Sequence, residues 1–147
     1  MTYLSTRKLK ILLPLKEAIN LVGFALKNGK QGDIFVRNAP SCSVGDLAQA
    51  LINILGSDSE IKTIGMRHGE KMHETLIPED ESRNVLDFGT HFVLQPVQSF
   101  WGNKIGILGG ASCSQGFCYA SNRNDRFLDR EGLSTLLRDY LPAKPVS

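Results

Sequence analysis

Apolar positions recur at helical spacing over 14–28, where Leu15, Ala18, Ile19, Val22, Ala25 and Leu26 form one face. Pro14 suits the first turn and Asn28-Gly29 the exit, so the pattern predicts a helix there. Residues 29–33 read as a turn, and Ile34-Phe35-Val36 as a short strand of β-formers. A second helix is predicted over 44–55. Ser43 is its N-cap, with Asp46 three residues on as a variant capping box. Val44, Leu47, Ala48, Leu51, Ile54 and Leu55 share a face, and Gly56 ends the run. Ile61 to Met66 reads as a strand, Gly69 to Ile77 as a short helix entered through a glycine turn, and 78–84 as a polar loop. His91 to Leu94 is a strand ended near Pro96. A last helix begins at the N-cap Asp129, with Leu128 and Leu133 placed for a hydrophobic staple.

The order is α–β–α–β–α, then a loop-rich C-terminal third. One helix connects the strands near 33–37 and 61–66. A short crossover of that kind favours a parallel, right-handed unit. The expected fold class is therefore α/β, a small parallel-strand βαβ piece with flanking helices. The expected organisation is one domain over 10–141, an unassigned segment 1–9 and a frayed tail 142–147. Residues 102–116 hold five glycines and are expected to form a mobile loop.

Composition narrows the function classes. With 147 residues the chain is long enough for a core burying roughly two-thirds of its unfolded surface. A net charge of +2 is too small to argue for nucleic acid or a membrane surface. No apolar run approaches the ~20 residues that cross a bilayer. The apolar stretch 9–15 is short for a signal peptide and lacks a small-residue cleavage site behind it. Cys42, Cys113 and Cys118 make an odd set without a regular framework, which reads as thiols of a reducing cytoplasm. Cys113 and Cys118 have no nearby His, and His68 and His73 share no helical face, so no metal site is expected. His73-Glu74 begins like a zinc-protease motif, but Ile77 stands where the second His is needed.

The most informative stretch is Ile64-Gly65-Met66-Arg67-His68-Gly69-Glu70-Lys71-Met72-His73-Glu74. A strand leading through a glycine turn into a helix N-terminus is an anion site, because free N–H groups and the dipole both favour negative charge. Arg67 can grip a phosphate with two parallel hydrogen bonds. Glu70 can accept from both hydroxyls of a ribose. From spacing alone, a charged helix start on a solvated surface accounts for the same residues.

Three runs, KNGKQGDIFVRNAP, DLAQAL and IKTIGMRHGEKMHETLIPED, together resemble the C-terminal region of inverting UDP-N-acetylglucosamine 4,6-dehydratases. These form part of the polysaccharide-biosynthesis branch of the extended short-chain dehydrogenase superfamily. The end of the chain, FCYASNRNDRFLDREGLSTLL, is similar to the family's closing Tyr-x-Ser-x-x-Asn segment and last helix. The resemblance covers about residues 10–140.

It implies a substrate-binding C-terminal part that holds a UDP-sugar, joined in the full-length enzymes to a Rossmann domain binding NADP or NAD. Such enzymes oxidise the sugar at C4, eliminate water across C5 and C6, and return the hydride; some members then epimerise the product. By resemblance, Arg67 contacts the pyrophosphate and Glu70 the ribose. Lys10 falls where a second basic residue, usually Arg, meets the phosphates. No catalytic residue is assigned. There is no Gly-x-Gly-x-x-Gly, and the one Tyr with Lys four residues on, Tyr140 with Lys144, lies in the Pro-rich tail. The Rossmann domain is therefore expected to be absent, with no cofactor bound by this chain and no activity alone. Two alternatives stand beside this one. The chain is an accessory module docking on a separate Rossmann-type chain or a homologue, or a remnant that still folds.

Overall fold

The computed structural model describes residues 2–4, 8–66, 68–96 and 109–141. Contacts divide the chain into two compact units. One comprises Met1–Leu12, Pro40–Glu74 and Ser121–Ser147, the other Leu13–Ala39 and Thr75–Ala120. The chain passes from one to the other four times, a division that no composition break announces.

The first unit holds strands β1 (Thr2–Leu4), β2 (Leu9–Ile11), β4 (Ser41–Ser43) and β5 (Ile61–Thr63), with helices α2 (Val44–Leu55) and α3 (Arg130–Arg138). β1 and β5 pair in parallel, Thr2 opposite Ile61; β2 and β4 pair antiparallel, Leu9 opposite Ser43. Its core is Cys42, Ala50 and Leu133, with Leu12, Leu47, Leu128 and Leu137 packed around them. Burial there pushes the Cys42 thiol up to about 11, with the nearby Asp46 carboxylate adding to the shift.

Both helices of this unit begin as their capping signals require. Ser43 Oγ accepts the Asp46 N–H at 2.9 Å and donates to Asp46 Oδ2 at 2.6 Å. Gly56 closes α2 at φ +59°, a conformation that side chains with a Cβ avoid. Asp129 Oδ1 accepts the Gly132 N–H at 2.9 Å, and Leu128 and Leu133 lie together in the core. Arg130 Nε donates to Asp46 Oδ1 at 2.7 Å and ties α3 to α2. The hydrogen bonds from Ser43 and Arg130 hold the Asp46 carboxyl below its usual range.

The second unit holds α1 (Leu15–Asn28), β3 (Ile34–Arg37), β6 (Thr75–Ile77), β7 (Val85–Asp87), β8 (His91–Leu94), β9 (Ala111–Ser112) and β10 (Tyr119–Ala120), with a 3-10 turn at Glu79–Asn84. β3, β8, β7 and β9 form a sheet in that order, every pair antiparallel, and β6 pairs with β10. All four residues of β8 are buried, as a central strand demands. His91 lies among rings, 4.6 Å from Phe24 and 5.0 Å from Phe88 between centroids.

Several expectations are corrected. The strands near 33–37 and 61–66 do not form a parallel βαβ unit: β3 pairs antiparallel with β8, and β5 pairs with β1. β8 offers β3 a buried apolar partner, and the helix between the two strands packs on α3 instead. The helix expected over Gly69–Ile77 is absent. Its residues form turns and then strand β6, whose Thr75 and Ile77 are β-branched. The segment 1–9 contains β1 and the start of β2. Of the expected loop 102–116, residues 102–108 lie outside the described residues, and Ala111–Ser112 is a strand. Helix α1 forms as expected, but it turns Ala18, Leu21 and Ala25 inward while Leu15, Ile19, Val22 and Leu26 stay 59–84% exposed.

Candidate functional site

The stretch singled out by sequence and the strand carrying Lys10 belong to the same unit and are sewn together by backbone bonds. The Leu9 N–H donates to Met72 O at 2.8 Å, which ties the irregular segment 70–74 to β2. Ser121 completes the seam. Its Oγ accepts the Glu74 N–H at 2.9 Å and donates to Leu9 O at 3.1 Å, and its own N–H donates to Glu74 O at 2.8 Å. The Ser121 side chain is fully buried, so these partners replace water for groups that would otherwise lack it.

This seam brings two lysines and two glutamates side by side. Lys8 Nζ lies 2.9 Å from Glu70 Oε1. Lys10 Nζ donates to Glu74 Oε1. That hydrogen bond, followed by the charges of Lys10, Lys71 and Lys8, holds the Glu74 carboxyl below the usual carboxylate range despite partial burial. Gly69 sits at φ +81°, so the tight turn read from sequence is present, but it leads into irregular chain and not into a helix. The dipole argument for an anion site at Glu70 falls with that helix; what remains is the charge and hydrogen bonding of the side chains themselves.

Of the three residues assigned to substrate, Arg67 lies outside the described residues. Glu70 is half-buried and paired with Lys8, and Lys10 is half-buried and paired with Glu74. Sequence reasoning missed Lys8, Glu74 and the part played by Ser121. The available signal was Ser121 within the closing Tyr-x-Ser-x-x-Asn segment. Tyr119 of the same motif is a structural clasp in the other unit, its buried hydroxyl donating to Ala39 O and accepting the Ala39 N–H, both at 2.8 Å.

Among the described residues no group of three or more His, Cys, Asp and Glu is placed to hold a metal ion. Nor, among them, is any helix long and apolar enough to cross a membrane. The described helices open at Pro14, Ser43 and Asp129, none of them on a glycine-rich turn.

The fold and the motif stretch can now be set beside known proteins. The chain belongs to the family described as polysaccharide biosynthesis protein, whose profile matches residues 6–96, more than half of it. It is 40% identical over 83 residues to a UDP-glucose 4-epimerase of Rickettsia canadensis (strain McKiel), covering 56% of this chain and 24% of the relative. The same shares and identity hold for a UDP-glucose 4-epimerase of Rickettsia felis (strain ATCC VR-1525 / URRWXCal2). The fold is similar to the X-ray structure of Pen from Bacillus thuringiensis, with a TM-score of 0.76 and 25% identity, covering 94% of this chain and 41% of that one. The matched part is thus about a quarter of the length of these curated relatives. The likenesses support the extended short-chain dehydrogenase branch read from the motifs.

Proposed function

We propose that this chain is the UDP-sugar-binding C-terminal part of a nucleotide-sugar 4,6-dehydratase or epimerase of polysaccharide biosynthesis, acting on a UDP-N-acetylhexosamine and inactive by itself. The observation that carries the reading is the seam of Lys8, Lys10, Glu70 and Glu74 beside the Gly69 turn, inside the stretch that the family profile matches. Arg67 and Lys10 meet the diphosphate, Lys10 by exchanging Glu74 for a phosphate oxygen, and Glu70 accepts from the ribose hydroxyls. NADP or NAD belongs to the full-length homologues in this reading. Calorimetry tests it. UDP binds weakly, because much of the pocket is supplied elsewhere, and Arg67→Ala loses at least ~1.5 kcal/mol, the scale of a charge-assisted hydrogen bond. Equal UDP binding by the two proteins overturns the assignment.

A second reading, an accessory module docked on a separate Rossmann-type chain, is favoured by one observation. Helix α1 leaves Leu15, Ile19, Val22 and Leu26 uncovered, an apolar stripe of the kind that marks an interaction surface. Co-purification with a Rossmann-type homologue separates this reading from the first, and its failure removes it.

A further inference from the structure

Lys10 and Glu74 both stand on backbone that hydrogen bonds hold in place. Lys10 lies in β2, opposite Cys42 of β4. Glu74 is held from both sides by Ser121, whose Oγ accepts its N–H and whose own N–H donates to its carbonyl. Between these two anchored points the side chains meet within reach of solvent, Lys10 39% and Glu74 35% exposed. An ion pair in such a place is worth about fivefold or less in an equilibrium, so an anion from solution can compete for the ammonium. The same anchoring keeps Glu74 at hand. A phosphate reaching Lys10 with the carboxylate still in place meets like charge at close range. The charges of Lys71 and Lys8 also act on Glu74, so a carboxylate released by Lys10 remains in a positive field.

We propose that Glu74 is a built-in competitor for the diphosphate of the substrate: it occupies Lys10 in the empty site, and its carboxylate limits the affinity for the nucleotide because it has to be displaced. The proposal rests on the reading of Lys10 as a diphosphate contact. It adds a residue that works against binding, so that removing its charge strengthens the complex. A carboxylate that merely supports the fold of the seam gives the opposite sign, since its loss weakens the site.

The test is calorimetry on the full chain with UDP and with uridine, for wild type, Glu74→Gln, Lys10→Met and the double variant, each confirmed folded by circular dichroism. Glu74→Gln, which keeps the shape and loses the charge, binds UDP about threefold to fivefold more tightly than wild type, and its affinity for uridine changes by less than about twofold. Lys10→Met binds UDP more weakly than wild type, and Glu74→Gln added to it brings no further gain, because the competition runs through Lys10. A Glu74→Gln protein that binds UDP equally or less tightly overturns the proposal while the weakening by Lys10→Met leaves the role of Lys10 standing. A gain that persists in the double variant, or that uridine shares, also overturns it, since the effect then bypasses Lys10 or the phosphates. A Lys10→Met protein that binds UDP like wild type overturns the reading of Lys10 and this proposal with it. If Glu74→Gln does not fold, Glu74→Met, which also removes the charge, is held to the same thresholds.

Discussion

Replacing Ser121 by alanine removes one oxygen atom from the seam that carries the candidate site. The side chain is fully buried, so water does not refill the place. Two backbone groups lose this partner, the N–H of Glu74, now 2.9 Å from Oγ, and the carbonyl of Leu9, 3.1 Å away. The bond from the Ser121 N–H to Glu74 O survives, because alanine keeps that N–H. Each lost hydrogen bond contributes about 1 kcal/mol net, so the variant is expected to lose about 2 kcal/mol. With a urea slope of about 2 kcal/mol per M, the unfolding midpoint falls by about 1 M. The effect is also local. The Glu74 amide exchanges up to about 30-fold faster, since 1.4 kcal/mol corresponds to a factor of ten. Ser57→Ala, on an exposed loop, serves as the control and shifts stability by less than about 0.5 kcal/mol. A midpoint shift below about 0.3 M for Ser121→Ala, with Glu74 exchange unchanged, would show that the hydroxyl is not what holds β2 to residues 70–74.

Acid is expected to weaken the second unit through His91. Burial, then the charge of Arg37, lowers the pKa of His91 below its ordinary 6.5, while Asp87 acts the other way. The folded state thus holds the neutral ring and the unfolded state takes up the proton first; stability is full above about 6.5 and declines as pH falls through that value toward the folded one. His91→Phe, which keeps a ring among Phe24, Phe35 and Phe88, removes this part of the decline. Urea midpoints that follow the same course from pH 7.5 to 5.5 in both proteins refute the assignment. Purified chain given NADP and UDP-N-acetylglucosamine is expected to yield no 4-keto sugar by NMR, because among the described residues no tyrosine lies on a helix, where a lysine one turn away would help it take the C4 hydroxyl proton. Turnover above a no-protein control, in protein free of host dehydratase, overturns that expectation.

Much of the candidate site was legible because it is a contiguous motif. Gly69 turns where the sequence requires a glycine, and the family membership rests on the same stretch. What followed the turn was not legible. Residues 70–74 carry charges and no apolar stripe, so their helical reading rested on the glycine turn and the dipole argument alone. Long-range bonds, from Leu9 to Met72 and between Ser121 and Glu74, hold them out of a helix. Lys8 and Glu74 escaped notice for a related reason: their partners are 62 and 64 residues away, Glu70 and Lys10.

The sequence by itself determined the three helices and their ends. Pro14, Ser43, Gly56 and Asp129 act within one turn of where they stand, and a 3.6-residue period is a local property. It also marked His91–Leu94 as a strand and Asp46 as part of a cap. Tertiary structure alone decided which strands pair, that β3 joins β8 and β5 joins β1, because pairing depends on closing loops of tens of residues, which leave no local trace. It also decided which side of α1 faces inward. Ala18 and Ala25 let the helix approach its sheet more closely than Leu15, Ile19 and Leu26 would, and a hydrophobic pattern alone does not weigh side-chain size against distance.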